Sequence, residues 1–219
     1  MEKILSLIGP GDIEFHYSKL LGIDKERFLL EIEEITKPIV ESGWSIELLP
    51  DKGVSFEIAK IYKKLNGKKI IGTVPKDDKT FGTKHLEEYE NAEVENKKVF
   101  DEIINSGDWF KQDMIKGLFG NAVLYLGSSP GTEGELNYAT YLFKLIQGMK
   151  KFVEAPAEKI HPRIIAGKEI PYTYFIYKPF LKTGKLSFET EEYLKKIGIN
   201  FIYIENPKQL KDELSKIGL

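Results

Sequence analysis

Val123-Leu124-Tyr125-Leu126-Gly127-Ser128-Ser129-Pro130-Gly131-Thr132-Glu133-Gly134-Glu135-Leu136 is the stretch on which the reading of the fold turns. Four apolar residues in a row suit a central strand covered on both faces. The small residues that follow let the backbone approach a ligand closely. Thr132 with Glu135 three positions later has the form of a capping box, which opens a helix. A helix start offers unpaired N–H groups at the positive end of the dipole, and together these make an anion site. The same order of strand, small-residue loop and capped helix is also an ordinary α/β joint. Two readings therefore stand: a phosphate site at Gly127, Ser128, Ser129, Gly131 and Thr132, or a cap in which Thr132 and Glu135 only satisfy each other's backbone.

Upstream of this stretch the chain alternates. Lys3–Ile8 reads as a short strand ending in Gly9-Pro10-Gly11-Asp12. After a polar stretch comes a helix over 24–42, with Phe28, Leu29, Ile32, Ile35 and Ile39 on one face, Asp24 as N-cap and Gly43 as stop. Pro38 is expected to bend or shorten its last turn. Trp44–Leu49 is a second strand running into Pro50-Asp51-Lys52-Gly53. A helix over 54–66 and a third strand, Lys68–Val74, follow. Strand, helix, strand, helix, strand with short joints predicts a parallel sheet with right-handed crossovers.

Residues 75–95 lose periodicity and read as a long polar loop. Residues 96–119 read as helical, broken near Ser106-Gly107-Asp108. Phe100, Ile103 and Ile104 before the break, and Trp109, Phe110, Met114 and Leu118 after it, are expected in the core. Downstream, a helix over 133–148 carries Leu136, Tyr138, Ala139, Leu142, Phe143, Leu145 and Ile146 on a wide apolar arc. Residues 149–168 read as an excursion, 171–180 as a strand, 189–198 as a helix, 200–204 as a last strand and 209–217 as a last helix.

Composition bounds the function. The 219 residues suit one domain with a large core. A net charge of −2 gives no strong pull toward nucleic acid or membrane. With no cysteine there is no disulfide, thiolate nucleophile or thiolate metal site. The three histidines, His16, His85 and His161, are far apart and read as surface residues, so no metal site is expected. No signal peptide is visible and no apolar run approaches the ~20 residues of a membrane helix, which reads as a cytoplasmic protein. No cofactor is called for.

The glycine loops after the first, second and fourth strands all fall at one end of a parallel sheet. With the first and fourth strands as neighbours, Gly9, Pro10 and Gly11 face the 127–132 loop across the crevice where strand order reverses, with Gly53 nearby. Backbone-rich loops beside a helix start suit a phosphate-bearing, nucleotide-like small molecule.

These residues resemble the SLOG superfamily, which holds the Lonely Guy phosphoribohydrolases (long mislabelled lysine decarboxylases) and the DprA/Smf-like proteins. Residues 3–75, closing on Ile71-Gly72-Thr73-Val74-Pro75, look like the N-terminal half of that group. The central stretch is similar to the Lonely Guy signature Pro-Gly-Gly-x-Gly-Thr-x-x-Glu. Gly127 stands for the Pro, Ser128 and Ser129 for the two Gly, and Gly131, Thr132 and Glu135 match. The family's Arg-Lys pair falls on Gln112 and Asp113, so a catalytic arginine is missing unless Lys111, Lys116 or Arg163 replaces it.

The resemblance implies a single Rossmann-like three-layer α/β domain over 1–219, with an insertion at 149–168 and assembly as a homodimer. It also implies a loop that holds the phosphate of a nucleoside monophosphate. Two functions follow: a binding protein for a nucleotide or nucleotide-derived ligand, or a nucleoside 5′-monophosphate phosphoribohydrolase with Glu135 as the catalytic carboxylate.

Overall fold

The computed structural model describes residues 2–152 and 173–217. In chain order the elements are β1 (Ile4–Ile8), a π-helical segment (Glu14–Leu20), α1 (Lys25–Glu41), β2 (Ser45–Leu48), α2 (Val54–Lys64), β3 (Ile70–Val74), and a 3-10 turn leading into α3 (Glu87–Glu90). Then come β4 (Glu93–Val94), β5 (Lys97–Lys98), β6 (Glu102–Asn105), α4 (Trp109–Phe119), β7 (Ala122–Tyr125), α5 (Pro130–Phe152), β8 (Thr173–Tyr177), α6 (Phe188–Ile197), β9 (Asn200–Ile204) and α7 (Pro207–Lys216).

Seven strands form one parallel sheet in the order β6-β3-β2-β1-β7-β8-β9. β1 and β7 are neighbours, with Leu5 opposite Ala122 and Ile8 opposite Tyr125. Strand order therefore reverses between them, as the glycine loops predict. Helices α1, α2 and α7 pack with one another on one face; α4, α5 and α6 cover the other. This is the three-layer Rossmann-like α/β architecture.

Alternation along the strands divides the core. Leu5 and Leu7 of β1, Ile46 and Leu48 of β2, Leu124 of β7 and Phe175 of β8 join Phe28, Ile32, Ile35, Ile39, Leu210 and Leu214 on the α1 side. Ile8, Val123, Tyr125, Tyr174 and Ile176 meet Leu118, Leu136, Ala139 and Leu194 on the other. Burial at ~1.5–3 kcal/mol for each large apolar side chain makes this the main stabilising term. Leu29 does not join the α1 stripe; it is 43% exposed, because its position points away from the buried one. Asp24 caps α1 by accepting from the Arg27 N–H at 2.8 Å. Pro38 does not end the helix, which runs to Glu41, and the Pro38 carbonyl accepts from the Ser42 N–H at 3.0 Å.

The helix expected to begin at 96 is not there. Glu95 and Asn96 both take positive φ, 52° and 61°, and close the tight hairpin of β4 and β5. Glu102–Asn105 then adds β6 beside β3 at the sheet edge. Phe100 and Leu118 are buried as expected, but Phe110 is 63% exposed. Trp109 stacks on His85 with ring centroids 5.8 Å apart and donates its indole N–H to the Gly82 carbonyl. In the 75–95 loop, Asp78 Oδ1 accepts from the N–H groups of Thr80, Phe81 and Gly82 and so fixes the turn.

The 149–168 excursion lies outside the described residues except for 149–152, which are the end of α5. Among the described residues, no helix is long and apolar enough to cross a membrane.

Candidate functional site

The crevice forms at the C-terminal edge of β1, β2 and β7. The Leu126 N–H donates to the Ile8 carbonyl at 2.8 Å, so the loops after β1 and β7 leave the sheet side by side. The Val54 N–H donates to the Pro10 carbonyl at 3.2 Å and ties the start of α2 to the same loop. Gly53, with φ 129° and ψ −176°, lies against Gly11: a Cβ there would sit 2.7 Å from both the Gly11 Cα and the Pro10 carbonyl oxygen. A Cβ on Gly9 would meet Val54 Cγ1 at 2.2 Å. Gly9, Pro10, Gly11 and Gly53 are thus brought together, and the glycines allow the backbones to meet. Gly127, Ser128, Ser129, Gly131 and Thr132 follow on the β7 side.

The start of α5 differs from the expected capping box. The helix begins at Pro130, a favoured first position, and its cap is Ser129. The Ser129 N–H donates to Thr132 Oγ1 at 2.6 Å, and the Thr132 N–H reaches Ser129 Oγ at 3.3 Å. The reciprocal pair is therefore Ser129 with Thr132, three residues earlier than Thr132 with Glu135. The Glu133 N–H goes to the Ser129 carbonyl at 2.9 Å, and Pro130 has no N–H. This leaves the exposed Gly131 N–H as the open donor of the first turn. Ser128 is held away from it, donating to Glu133 Oε1 at 2.7 Å, where the Tyr125 hydroxyl also donates at 2.7 Å.

His16 is not a surface residue. The π-helical segment after the β1 loop turns it inward, 6% exposed, with Nε2 3.3 Å from the Phe180 carbonyl. A Cβ on Gly127 would fall 2.6 Å from that nitrogen, so His16 abuts the loop. Burial, which favours the neutral ring, holds the imidazole below its ordinary pKa, against the opposing effect of the Phe180 carbonyl, which favours the protonated one. Tyr17 beside it donates to the Leu126 carbonyl at 2.6 Å. No periodicity in 14–20 announces this, since π-helical spacing matches neither the helix nor the strand pattern.

Beneath the crevice, on the α4 side of the sheet, lies a buried polar stripe. Ser6 and Glu47 are paired neighbours on β1 and β2, and Thr73 follows on β3. Thr73 Oγ1 donates to Glu47 Oε1 at 2.6 Å and accepts from Gln112 Nε2 at 2.9 Å. One turn on along α4, Lys116 Nζ bonds Glu135 Oε1 at 2.8 Å. Lys116 is 4% and Glu135 8% exposed. The second oxygen of Glu47, the second oxygen of Glu135 and the Gln112 carbonyl oxygen have no hydrogen-bond partner.

Burial pulls the Lys116 ammonium toward losing its proton, but Glu135, Glu47 and Asp113 outweigh it and raise its pKa. Burial, then Glu135, pushes Asp113 up to about 6, with Lys116 opposing. The sequence signal for this stripe was Glu47 itself, a charge inside an otherwise buried strand. Gln112 and Asp113, which align with the Arg-Lys pair of the Lonely Guy proteins, line this stripe, and Lys111 pairs with Asp108 in the exposed first turn of α4. Arg163 lies outside the described residues.

Burial pushes the Glu47 carboxyl up to about 7, against the hydroxyl of Thr73, Lys116 and Ser6, from the 4.5 of a free side chain. Between those values the fold holds a proton that the unfolded chain does not. The stabilisation is therefore complete below about pH 4.5 and is lost as pH rises through about 7. Glu47→Gln should accordingly be near neutral around pH 5 and more stable than wild type by about 3 kcal/mol around pH 8. Urea unfolding at both pH values measures this; a difference independent of pH would show that Glu47 is ionised throughout.

Among the described residues no three His, Asp or Glu side chains gather in a way that could hold a metal ion. No protein-family model matches the chain, and no curated protein does. Solved structures do share the fold over the whole length. The molybdenum cofactor carrier protein of Chlamydomonas reinhardtii superposes with a TM-score of 0.56 at 18% identity, covering 99% of this chain and 98% of its own. The molybdenum cofactor binding protein of the phototrophic bacterium Rippkaea orientalis gives 0.54 at 14% identity, over 98% and 96%. TM1055, a structural-genomics target, gives 0.54 at 12% identity, over 99% and 100%. At these identities the likeness is one of fold.

Proposed function

We propose that this chain is a ligand-binding protein of the SLOG type, one domain over 1–219, that holds a phosphate-bearing, nucleotide-derived small molecule in the crevice between the β1 and β7 loops. The observation that carries this reading over the phosphoribohydrolase alternative is the state of Glu135. A carboxylate that stabilises positive charge on a ribose must face the substrate. Glu135 is buried under the first turns of α5 and already neutralised by Lys116. What remains of the signature is backbone: the open Gly131 N–H at the start of the long helix that follows β7, the strand beside the one that ends in the Gly9-Pro10-Gly11 loop. The full-length likeness to two proteins named for carrying or binding a cofactor fits a carrier. A cytoplasmic setting goes with that role.

A Cβ on Gly131 would meet only Ser129 Oγ, at 3.9 Å, so a side chain fits there without disturbing the fold. Gly131→Val should therefore leave thermal unfolding within about 1 kcal/mol of wild type, while titration calorimetry with adenosine, guanosine or cytidine monophosphate loses the wild-type signal. Equal affinity in both proteins would place the site elsewhere. Wild type should release no base from these nucleotides; release above background would restore the hydrolase. Mass spectrometry of co-purified ligand identifies the cargo, and elemental analysis for molybdenum tests whether it is the cofactor of the two neighbours.

A homodimer is part of the proposal. Tyr138 and Tyr141, one turn apart on α5, are 46% and 56% exposed, and Tyr138 is thus outside the core where periodicity placed it. Light scattering at micromolar concentration should give twice the monomer mass.

A further inference from the structure

A second concavity of about 280 Å³ opens beside the crevice, between the end of the π-helical segment and the chain that follows β8. Phe180 lines it, and behind Phe180 stands an aromatic cluster. Tyr17 packs on Phe28 and Phe180 at 4.6 and 4.7 Å between ring centroids, and Tyr177 on Phe180 at 5.1 Å. Leu21, Ile23 and Leu181 add apolar wall, and Arg27, Glu31 and Lys182 line it as charged groups. Phe180 and Tyr17 separate this cleft from the glycine crevice, since the Phe180 carbonyl meets His16 and the Tyr17 hydroxyl meets Leu126.

The charges in the cleft are not balanced internally. Glu31 is four residues from Arg27 on α1, the spacing of a helical ion pair. It turns instead to accept the Tyr177 hydroxyl. The Arg27 backbone N–H is taken by the Asp24 cap, while its guanidinium has no hydrogen bond or ion pair with any described residue. Lys182 spends one of its three donors on the Leu20 carbonyl, at 3.1 Å. Two cations against one carboxylate leave a single positive charge beside the apolar side chains of Leu21, Ile23, Phe180 and Leu181.

We propose that this cleft is a second small-molecule site, separate from the glycine crevice, for a flat organic carboxylate held by Arg27 and Lys182. A guanidinium fork matches a carboxylate in bidentate fashion, whereas a dianion would exceed the net charge available and face Glu31. The apolar walls take the body of the ligand. The volume suits about ten non-hydrogen atoms, at the lower end of small-molecule sites.

Sodium benzoate is the probe, benzamide its neutral counterpart, and the readout is the amide resonances of Leu21, Gly22, Ile23, Leu181 and Lys182 in labelled full-length protein. Benzoate should shift these saturably with a millimolar or tighter constant, and benzamide should bind about tenfold more weakly or less. Arg27→Gln, a change on an exposed position, should cost about tenfold in benzoate affinity with the remaining resonances unmoved, and Arg27→Lys should recover part of it. Gly131→Val should keep the benzoate response whatever happens to phosphate, which separates this site from the crevice. No saturable shift up to about 50 mM, equal binding of benzamide, or an unchanged affinity in Arg27→Gln would each overturn the proposal.

Discussion

Lys116→Met should cost the fold about 3–5 kcal/mol at neutral pH, since one partner of a buried ion pair is removed and the other charge is left behind. Glu135 is 8% exposed, and its second oxygen already has no partner. Without Lys116 the carboxylate must either stay charged and buried, close to Asp113 and Glu47, or take up a proton. The loss should therefore shrink as pH falls. Lys116→Met combined with Glu135→Leu removes both charges and should recover most of the stability, because apolar pairs of similar volume commonly replace buried ion pairs at little cost. Urea denaturation of the two variants and wild type gives the comparison. A loss under about 1 kcal/mol for Lys116→Met would mean that water reaches the pair. Glu135→Gln carries the same defect from the other side, stranding the ammonium. On the capping-box reading that variant would be nearly neutral; with Glu135 paired to Lys116 it is expected to cost about 3 kcal/mol. A loss of function in it would therefore not by itself show catalysis.

Gly53→Ala should be the most damaging single methyl group in the crevice, at about 4 kcal/mol. Its φ of 129° with ψ near 180° is a region that only glycine occupies without strain. The new Cβ would also press on backbone atoms of Pro10 and Gly11 at 2.7 Å, which no side-chain rotation relieves. Gly134→Ala is the control: nothing lies within 4 Å of its Cβ, and inside α5 the added methyl should stabilise by up to about 1 kcal/mol. Thermal unfolding of the two variants should move in opposite directions. If Gly53→Ala stays within 1 kcal/mol of wild type, the β1 and β2 loops are not held in contact in solution.

The elements that were legible before the structure are those whose apolar pattern is set by two-sided burial. β1, β2, β3, β7 and β8 read as short apolar runs, and α1 and α2 as single stripes between a cap and a stop. β6 was hidden because an edge strand buries little: Ile103 and Ile104 are half-buried between exposed Glu102 and Asn105, and two adjacent isoleucines fit a helix as well as a strand. The crevice was legible as three glycine loops at one sheet edge, and the β1–β7 pairing brings two of them together. The cap was misplaced because Ser129 and Thr132 offer equally good oxygens, and only Pro130 at the first helical position decides between them. The Lys116–Glu135 pair has no local signature at all. It exists because α4 and α5 pack together, and no spacing along the chain encodes that.

The adjacency of β1 and β7 also sets an order in time. On the ribosome β1 is made first, yet its partner across the switch point arrives more than a hundred residues later. Closing so long a loop is what slows a chain dominated by distant contacts. Half of the crevice thus waits for β7, and a nascent chain ending before β7 has the first glycine loop but nothing opposite it. On the proposed function, a ligand of this crevice could not template the early strands; it could only seal a sheet in which β7 is already in place.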